Sequence, residues 1–348
     1  MKKIFFLAVA ATAMLAACNK TEVVPTGDVQ EISFVAVNKT ATKTPVDGVT
    51  FRDGDNMAVA AYIVKGTTPN DFFGYTLFAK ETGATNWTGQ PARYWPLTTA
   101  KINFLAVTEV GGGVDNTTVT FEANDYASGA TAVLAGNHAN YNQNDLMFAV
   151  GQGKHEQGSA YSAVSMVFKH ALSWINFKLS SAAPTEYQIQ VNSITLNGAT
   201  YNGTLTLVNP TFDDTAVPTI TDVTATWSDK DPIASVYVPN AAGTDKAAPI
   251  ILTSDSQLFG NGLLVVPNHY ATSFTINYTL TQGDGTANIY DYTYNLPAGT
   301  WEMAKKYFYN INITLSEIQV TPSITEWVET STSTDVELNG EADTPASI

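Results

Sequence analysis

Apolar and polar residues alternate with a period of two over much of the chain. Ile32, Phe34 and Ala36 fall on one side of an extended segment, and Ser33 and Val35 on the other. The same rhythm recurs at Ile276, Tyr278 and Leu280, at Tyr292, Tyr294 and Leu296, and at Ile311, Ile313 and Leu315. Such alternation marks strands that turn one face to a core and the other to water. Turn-forming clusters punctuate them: Asp53-Gly54-Asp55, Gly111-Gly112-Gly113, Asn209-Pro210 and Gly283-Asp284-Gly285. Many short strands between such turns predict an all-β chain built of β-sandwiches, not α/β units. No sustained amphipathic helix is visible; residues 127–143 are ambiguous in pattern, a long loop with a helical turn being one reading.

Two breaks in the rhythm bear on organisation. Val164, Met166, Phe168 and His170 alternate, and Ile175, Phe177 and Leu179 then continue in the opposite phase. The switch predicts a bulge or bend at residues 171–174. Just before it, residues 151–158 turn polar and Gly-rich, as either a domain boundary or a long hairpin loop. Taken as a boundary, this divides the chain into an N-terminal β-sandwich domain (31–158) and a C-terminal one (159–329). A tail follows at 330–348. There Thr332, Thr334, Val336 and Leu338 share one face of an extended chain, and Ser333, Asp335, Glu337 and Asn339 the other. With so little apolar mass, the tail is either a disordered acidic segment or a strand suited to another chain's sheet edge.

The N-terminus has a different pattern. Lys2 and Lys3 precede an apolar run over residues 4–15, and Leu15-Ala16-Ala17-Cys18 closes it. That run is too short to span a bilayer, so residues 1–17 read as a secretory signal. The cysteine makes the site resemble a lipobox, in which the thiol is acylated and the chain cut before it. Cys18 is the chain's single cysteine, and lipidation accounts for an unpaired thiol in an exported protein. Each buried methylene of an acyl chain contributes about 0.8 kcal/mol, so a multiply acylated Cys18 anchors firmly. Residues 18–30 then form a tether.

Composition narrows the function. Removing residues 1–17 leaves 331 residues, room for about two domains with cores large enough to need no disulfides. The formal net charge is −15, with 17 Lys and Arg against 32 Asp and Glu, which argues against nucleic acid as a partner. The four histidines, His138, His155, His170 and His269, lack zinc-site spacing. His170 lies on an alternating face and reads as a hydrogen-bonded core residue. No nucleophile elbow, phosphate-cradling loop or EF-hand pattern is present. Asp213-Asp214 and Asp229-Lys230-Asp231 read as turn-forming acids in preference to weak calcium sites. Trp87, Tyr94, Trp95, Trp174, Trp227, Trp301 and Trp327 suit core packing, with sugar-stacking platforms as the alternative. Neither catalytic residues nor cofactor or metal sites are expected, so the chain is not expected to be an enzyme.

A family resemblance joins these pieces. Its marks are the strand at 32–37 followed by Thr42-Lys43-Thr44, and Phe51-Arg52-Asp53-Gly54-Asp55 leading into residues 57–62. Tyr94-Trp95-Pro96 with Ile102-Asn103-Phe104-Leu105-Ala106 follows, then Asp145-Leu146-Met147-Phe148-Ala149. The most specific stretch is Val167-Phe168-Lys169-His170-Ala171-Leu172-Ser173 running into Ile175-Asn176-Phe177. Ile194-Thr195-Leu196-Asn197-Gly198, Leu264-Val265-Val266-Pro267 and Ile318-Gln319-Val320 to Trp327 complete the order. Together they resemble the fimbrillins (FimA/Mfa-like) of Bacteroides-like bacteria. The resemblance implies two transthyretin-like β-sandwich domains in tandem and a structural, adhesive subunit of cell-surface fimbriae of the type V pilus kind. It also implies assembly by donor-strand exchange with other fimbrillin subunits. The resemblance further implies that a protease removes the first strand, which here would be that of Ile32, Phe34 and Ala36, and that a neighbour's extended segment fills the groove. Fimbrillin shaft subunits are cut after Arg; here Lys39 and Lys43 follow the strand, with Arg52 a later candidate. The tail residues Thr332, Thr334, Val336 and Leu338 are the candidate donor. Further implied partners are the outer membrane, through lipidated Cys18, and a host or bacterial surface ligand. The competing reading is a glycan-binding β-sandwich surface lipoprotein that does not polymerise.

Overall fold

The computed structural model describes residues 30–37, 51, 53–65, 68–97, 100–109, 119–135, 143, 145–155, 162–210, 223–232, 235–267, 271–297, 301–314, 317–327 and 336–337. Among them there are strands and no helix. The all-β architecture predicted from alternation is what the chain adopts.

The first sheet closes into a barrel in the order β1 (Ser33–Val37), β4 (Trp87–Gln90), β3 (Thr68–Lys80), β2 (Asn56–Lys65), β5 (Ala100–Glu109), β8 (Leu146–His155) and β9 (Val164–His170). A four-stranded sheet lies in the order β13 (Thr224–Pro232), β12 (Thr200–Val208), β7 (Ala130–Leu134) and β6 (Val119–Ala123). The rest forms two further sheets. One runs β16 (Gln257–Leu258), β10 (Ser173–Ser181), β20 (Lys305–Ile313), β21 (Ile318–Glu326) and β22 (Val336–Glu337), with β17 (Leu263–Val265) also on β10. The other runs β14 (Ser235–Tyr237), β11 (Gln188–Asn197), β18 (Ser273–Thr281) and β19 (Ala287–Asn295), with β15 (Ile250–Ile251) also on β11.

Three apolar cores hold these sheets. Inside the barrel lie Ile32, Phe34, Val59, Phe78, Trp87, Phe104 and Met166, among others. Outside it, Ala60, Tyr62, Leu105 and Phe148 pack with Phe121, Leu134, Leu205 and Leu207 of the four-stranded sheet. Strands β2 and β5 are thus covered on both faces, which is why residues 57–63 and 104–107 read as apolar runs without alternation. The third core joins the last two sheets around Phe177, Ile194, Phe274 and Tyr309.

Several local expectations change. The Gly-rich stretch beginning at residue 151 opens within β8, which pairs antiparallel with β9, so it belongs to a hairpin of the barrel. Strand β9 lies beyond residue 158, where the sequence suggested a boundary, and it closes the barrel. The glycines serve packing. A Cβ on Gly153 would stand 2.1 Å from the Trp95 ring, and one on Gly151 2.4 Å from the Met166 sulfur. The predicted bend falls at Ala171 and Leu172, between β9 in the barrel and β10 in another sheet. It is held by Ala171 N–H donating to Leu146 O (2.8 Å) and Ala304 N–H donating to Leu172 O (2.9 Å). Residues 127–143, ambiguous in sequence, contain β7, which pairs with both β6 and β12. Asp229-Lys230-Asp231 lies within β13, not in a turn.

Candidate functional site: the slot filled by β1

Strand β1 is short, and its place in the barrel is unusual. On one side it pairs antiparallel with β4 (Ser33 with Thr88, Phe34 with Trp87). On the other it runs parallel to β9, from Phe34 beside Val164 to Val37 beside Val167. The ladder continues upstream: Ile32 N–H donates to Arg93 O (2.7 Å), Trp95 N–H donates to Gln30 O (3.0 Å), and Glu31 bridges Tyr94. Five residues therefore join two strands that do not otherwise pair, and close the sheet.

The side chains follow the alternation. Ile32 and Phe34 point inward and are completely buried, while Ser33 and Val35 are half-buried on the other face. The Phe34 ring meets Phe78 at 4.7 Å and Phe104 at 4.9 Å, both edge-to-face. Burying Ile32 and Phe34 contributes about 1.5–3 kcal/mol each. Edge-to-face rings add about 0.5–1.5 kcal/mol per pair. The floor is completed by Phe51, whose ring packs against Trp87 (5.2 Å) and Phe168 (5.1 Å). Val37 thus ends β1 in the barrel wall, and Phe51 lies in the barrel core.

Polar groups frame the slot without entering it. Arg93 Nε–H donates to Thr76 Oγ1 (3.0 Å), and its guanidinium lies 5.2 Å from the Phe73 ring centre. Asp53 accepts from Lys80 Nζ and from Gly83 N–H, and the lysine contact, the larger cause, holds its carboxyl below the ordinary range. A polar cleft of ≈ 350 Å³ opens beside the start of β1, lined by Gln30, Glu31, Ser33, Asn86, Thr88 and Ser162 among others.

Of the residues singled out from sequence, Ile32 and Phe34 are brought into the slot, and the Ala36 backbone pairs with Met166. Cys18, Lys39, Lys43, Arg52, Thr332, Thr334 and Leu338 lie outside the described residues. Val336 belongs to β22 and sits beside Ile324 at the edge of β21. The walls of the slot, Phe78, Phe104, Val164 and Met166, were not foreseen. Each shows only the local period of its own strand, which carries no sign of its neighbour.

A sequence profile described as fimbrillin-like matches residues 42–327. The chain belongs to the fimbrillin-like family. No curated protein matches it by sequence. Among solved structures, a fimbrial assembly protein of Parabacteroides distasonis is 10% identical, with a TM-score of 0.44, over 89% of this chain and 98% of its own. The fimbrial anchor protein Mfa2 of Porphyromonas gingivalis is 10% identical, with a TM-score of 0.35, over 87% of this chain and all of its own. The tip fimbrial protein Mfa3 of the same organism, truncated at its C-terminus, is 10% identical... over 86% of this chain and all of its own, with a TM-score of 0.37.

Family membership makes this fimbrillin-like chain a fimbrial or adhesion-related protein and not an enzyme; members of the family are cell-surface fimbrial components. Its conspicuous side chains have structural roles. The His170 ring is buried, with Nδ1 3.0 Å from Asp145 Oδ1, and stacks on Trp327 at 3.6 Å. His155 ends β8, while His138 and His269 lie outside the described residues. Trp87, Trp95, Trp174, Trp301 and Trp327 are buried, so these five form no exposed sugar-stacking platform. Among the described residues no group of three or more His, Cys, Asp or Glu could hold a metal ion. Among them, too, no helix is long and apolar enough to cross a membrane.

Proposed function

We propose that this fimbrillin-like chain is a structural subunit of a cell-surface fimbria, assembled by donor-strand exchange at the β1 slot. The observation that carries this reading is the barrel closure by a short N-terminal segment whose Ile32 and Phe34 side chains are completely buried. Removing β1 exposes the pairing edges of β4 and β9 and empties the pocket between Phe78 and Phe104. An inserted strand recovers both the ladder hydrogen bonds and the apolar contacts. Thr332, Thr334, Val336 and Leu338 are the donor face, and Val336 and Leu338 repeat the two-residue spacing of Ile32 and Phe34. In the single chain, β22 is a two-residue pairing at the edge of β21, and each hydrogen bond lost on lifting it costs only about 0.5–1.5 kcal/mol.

The path of the chain favours Lys39 or Lys43 as the maturation site over Arg52. A cut after either lysine frees β1 and leaves Phe51 packed on Trp87 and Phe168; a cut after Arg52 takes Phe51 away as well. Lipidated Cys18 then tethers the subunit to the outer membrane until the cut.

N-terminal sequencing of the native protein tests this. A start at Thr40 or Thr44 supports a polymerising subunit; acyl-Cys18 alone removes the shaft reading and leaves an anchor or accessory role. Deleting residues 330–348 is expected to stop polymerisation while the monomer still folds, and normal fimbriae in that variant would sink the donor assignment.

A further inference from the structure

Among the described residues, sheet edges are protected in nearly every case. Strand β13 pairs with β12 through two register shifts, and β6 is five residues long. Strand β21 contains Pro322 and carries β22 along its outer side. Strands β14, β15 and β16 are only two or three residues long. Bulges, proline, cover and brevity are the ordinary means of blocking unwanted strand addition.

Among the described residues, strand β19 has none of these. It is nine residues long and keeps an unbroken nine-pair register with β18, its one strand partner among the described residues. Its sequence, ANIYDYTYN, holds no lysine, arginine or proline, and Ile289 is 71% exposed. Tyr290, Tyr292 and Tyr294 form its half-buried face. Tyr290 is steadied by Tyr278 (5.5 Å) and Tyr294 by Phe274 (5.1 Å). On the exposed face Asp291 accepts from Asn277 Nδ2 (2.8 Å), and Thr293 shares a hydrogen bond with Thr275.

We infer that β19 pairs antiparallel with β19 of a second copy of this chain, about a two-fold axis through Tyr292. The inference stands independently of the donor-strand reading. Opposite residues of an antiparallel pair lie on the same face, so only registers that match face to face are open. A two-fold at Asp291 sets two carboxylates against each other, which is destabilising. A two-fold at Tyr292 sets Tyr292 against its counterpart, Tyr290 against Tyr294, and Asp291 against Thr293. Aromatic residues then meet aromatic residues along one face, and the only charge of the strand faces a hydroxyl. Pairing stops naturally at Pro297, which has no N–H to give. A contact of one short edge falls well below the roughly 800 Å² per partner of a standard interface. The association is therefore weak in dilute solution and takes effect where copies are concentrated.

The test uses the chain with Cys18→Ser, so that an introduced thiol is the only one. Opposite Cα atoms in an antiparallel pair are about 4.5–5.5 Å apart, within disulfide range. Tyr292→Cys is expected to oxidise to a linked dimer faster than Thr226→Cys, an exposed control on β13. Equal rates overturn the interface, and faster linking through Asp291→Cys overturns the register. Sedimentation at high protein concentration supplies a second reading at the exposed Thr293. Thr293→Lys places a cation opposite the partner copy's aspartate at two symmetric points and tightens association roughly 2- to 25-fold, while Thr293→Asp loosens it. Unchanged association in both variants, each folded by circular dichroism, overturns the proposal.

Discussion

Replacing Phe34 with alanine isolates the contribution of the slot. Phe34 is completely buried, and its ring meets Phe78 and Phe104 edge-to-face at 4.7 and 4.9 Å. The barrel is closed around the site, so its walls have little freedom to collapse into the space. Truncations of this kind cost about 3–5 kcal/mol, and two aromatic contacts put this one in the upper half. A protein with three cores need not unfold in one step, so a single global midpoint is a poor readout. Hydrogen exchange of peptides covering β4 and β9 reports the barrel directly. The expected loss of protection is about three to three and a half orders of magnitude, since about 1.4 kcal/mol is a factor of ten. Ser33→Ala, on the half-buried face, serves as the control and should change little. A Phe34→Ala effect below about five-fold, or under ~1 kcal/mol, would refute the account of the slot. If β1 is exchanged as proposed, an asymmetry follows: the substitution would weaken the precursor yet leave assembled fimbriae unchanged, because they would no longer contain the residue.

Gly153→Ala places a methyl group 2.1 Å from the Trp95 ring and is expected to lower barrel stability by about 1–3 kcal/mol, read as a shift in denaturation followed by tryptophan fluorescence. Burial over the Trp174 ring pulls the Lys306 ammonium down to about 8 from its ordinary value of 10.5. The unfolded chain then holds more protons between those values, so stability is expected to rise from about pH 8 towards pH 10, until tyrosines begin to ionise in the unfolded chain. Lys306→Met should flatten that rise, and an unchanged slope would refute the assignment. Asp145→Ala removes the partner of the buried His170 nitrogen and should cost about 1–3 kcal/mol, measured by thermal melting with the stacked Trp327 as fluorophore.

Strands with one dry and one wet face were the legible part of the sequence. Strands β11, β18 and β20 alternate because they lie between a core and solvent. The phase switch after His170 located the bend between barrel and sheet for the same reason: the buried side changes when the strand changes sheet. Strand β7 was illegible because its inward residues include Ala130 and Ala132, too small to stand out against Thr131 and Val133. The Gly-rich stretch was ambiguous because a glycine that admits a tryptophan ring looks, in sequence, like a glycine that bends a loop. At the slot, alternation identified Ile32 and Phe34 as inward-facing. It could not identify β4 and β9 as their neighbours, because pairing between residues 34 and 164 leaves no local trace.

The β1 slot also has a direction. Its occupant lies parallel to β9 and antiparallel to β4, and the two kinds of ladder place their hydrogen bonds differently. A strand seated there from any chain must therefore run the same way round as β1 does. A contact that joins one surface to a different surface is heterologous, and repeated copies build a ring or an open filament. A filament made this way is polar, with a vacant slot at one terminus and an unspent strand at the other. Its growing end and its rooted end cannot be interchanged, so each calls for a different terminal partner.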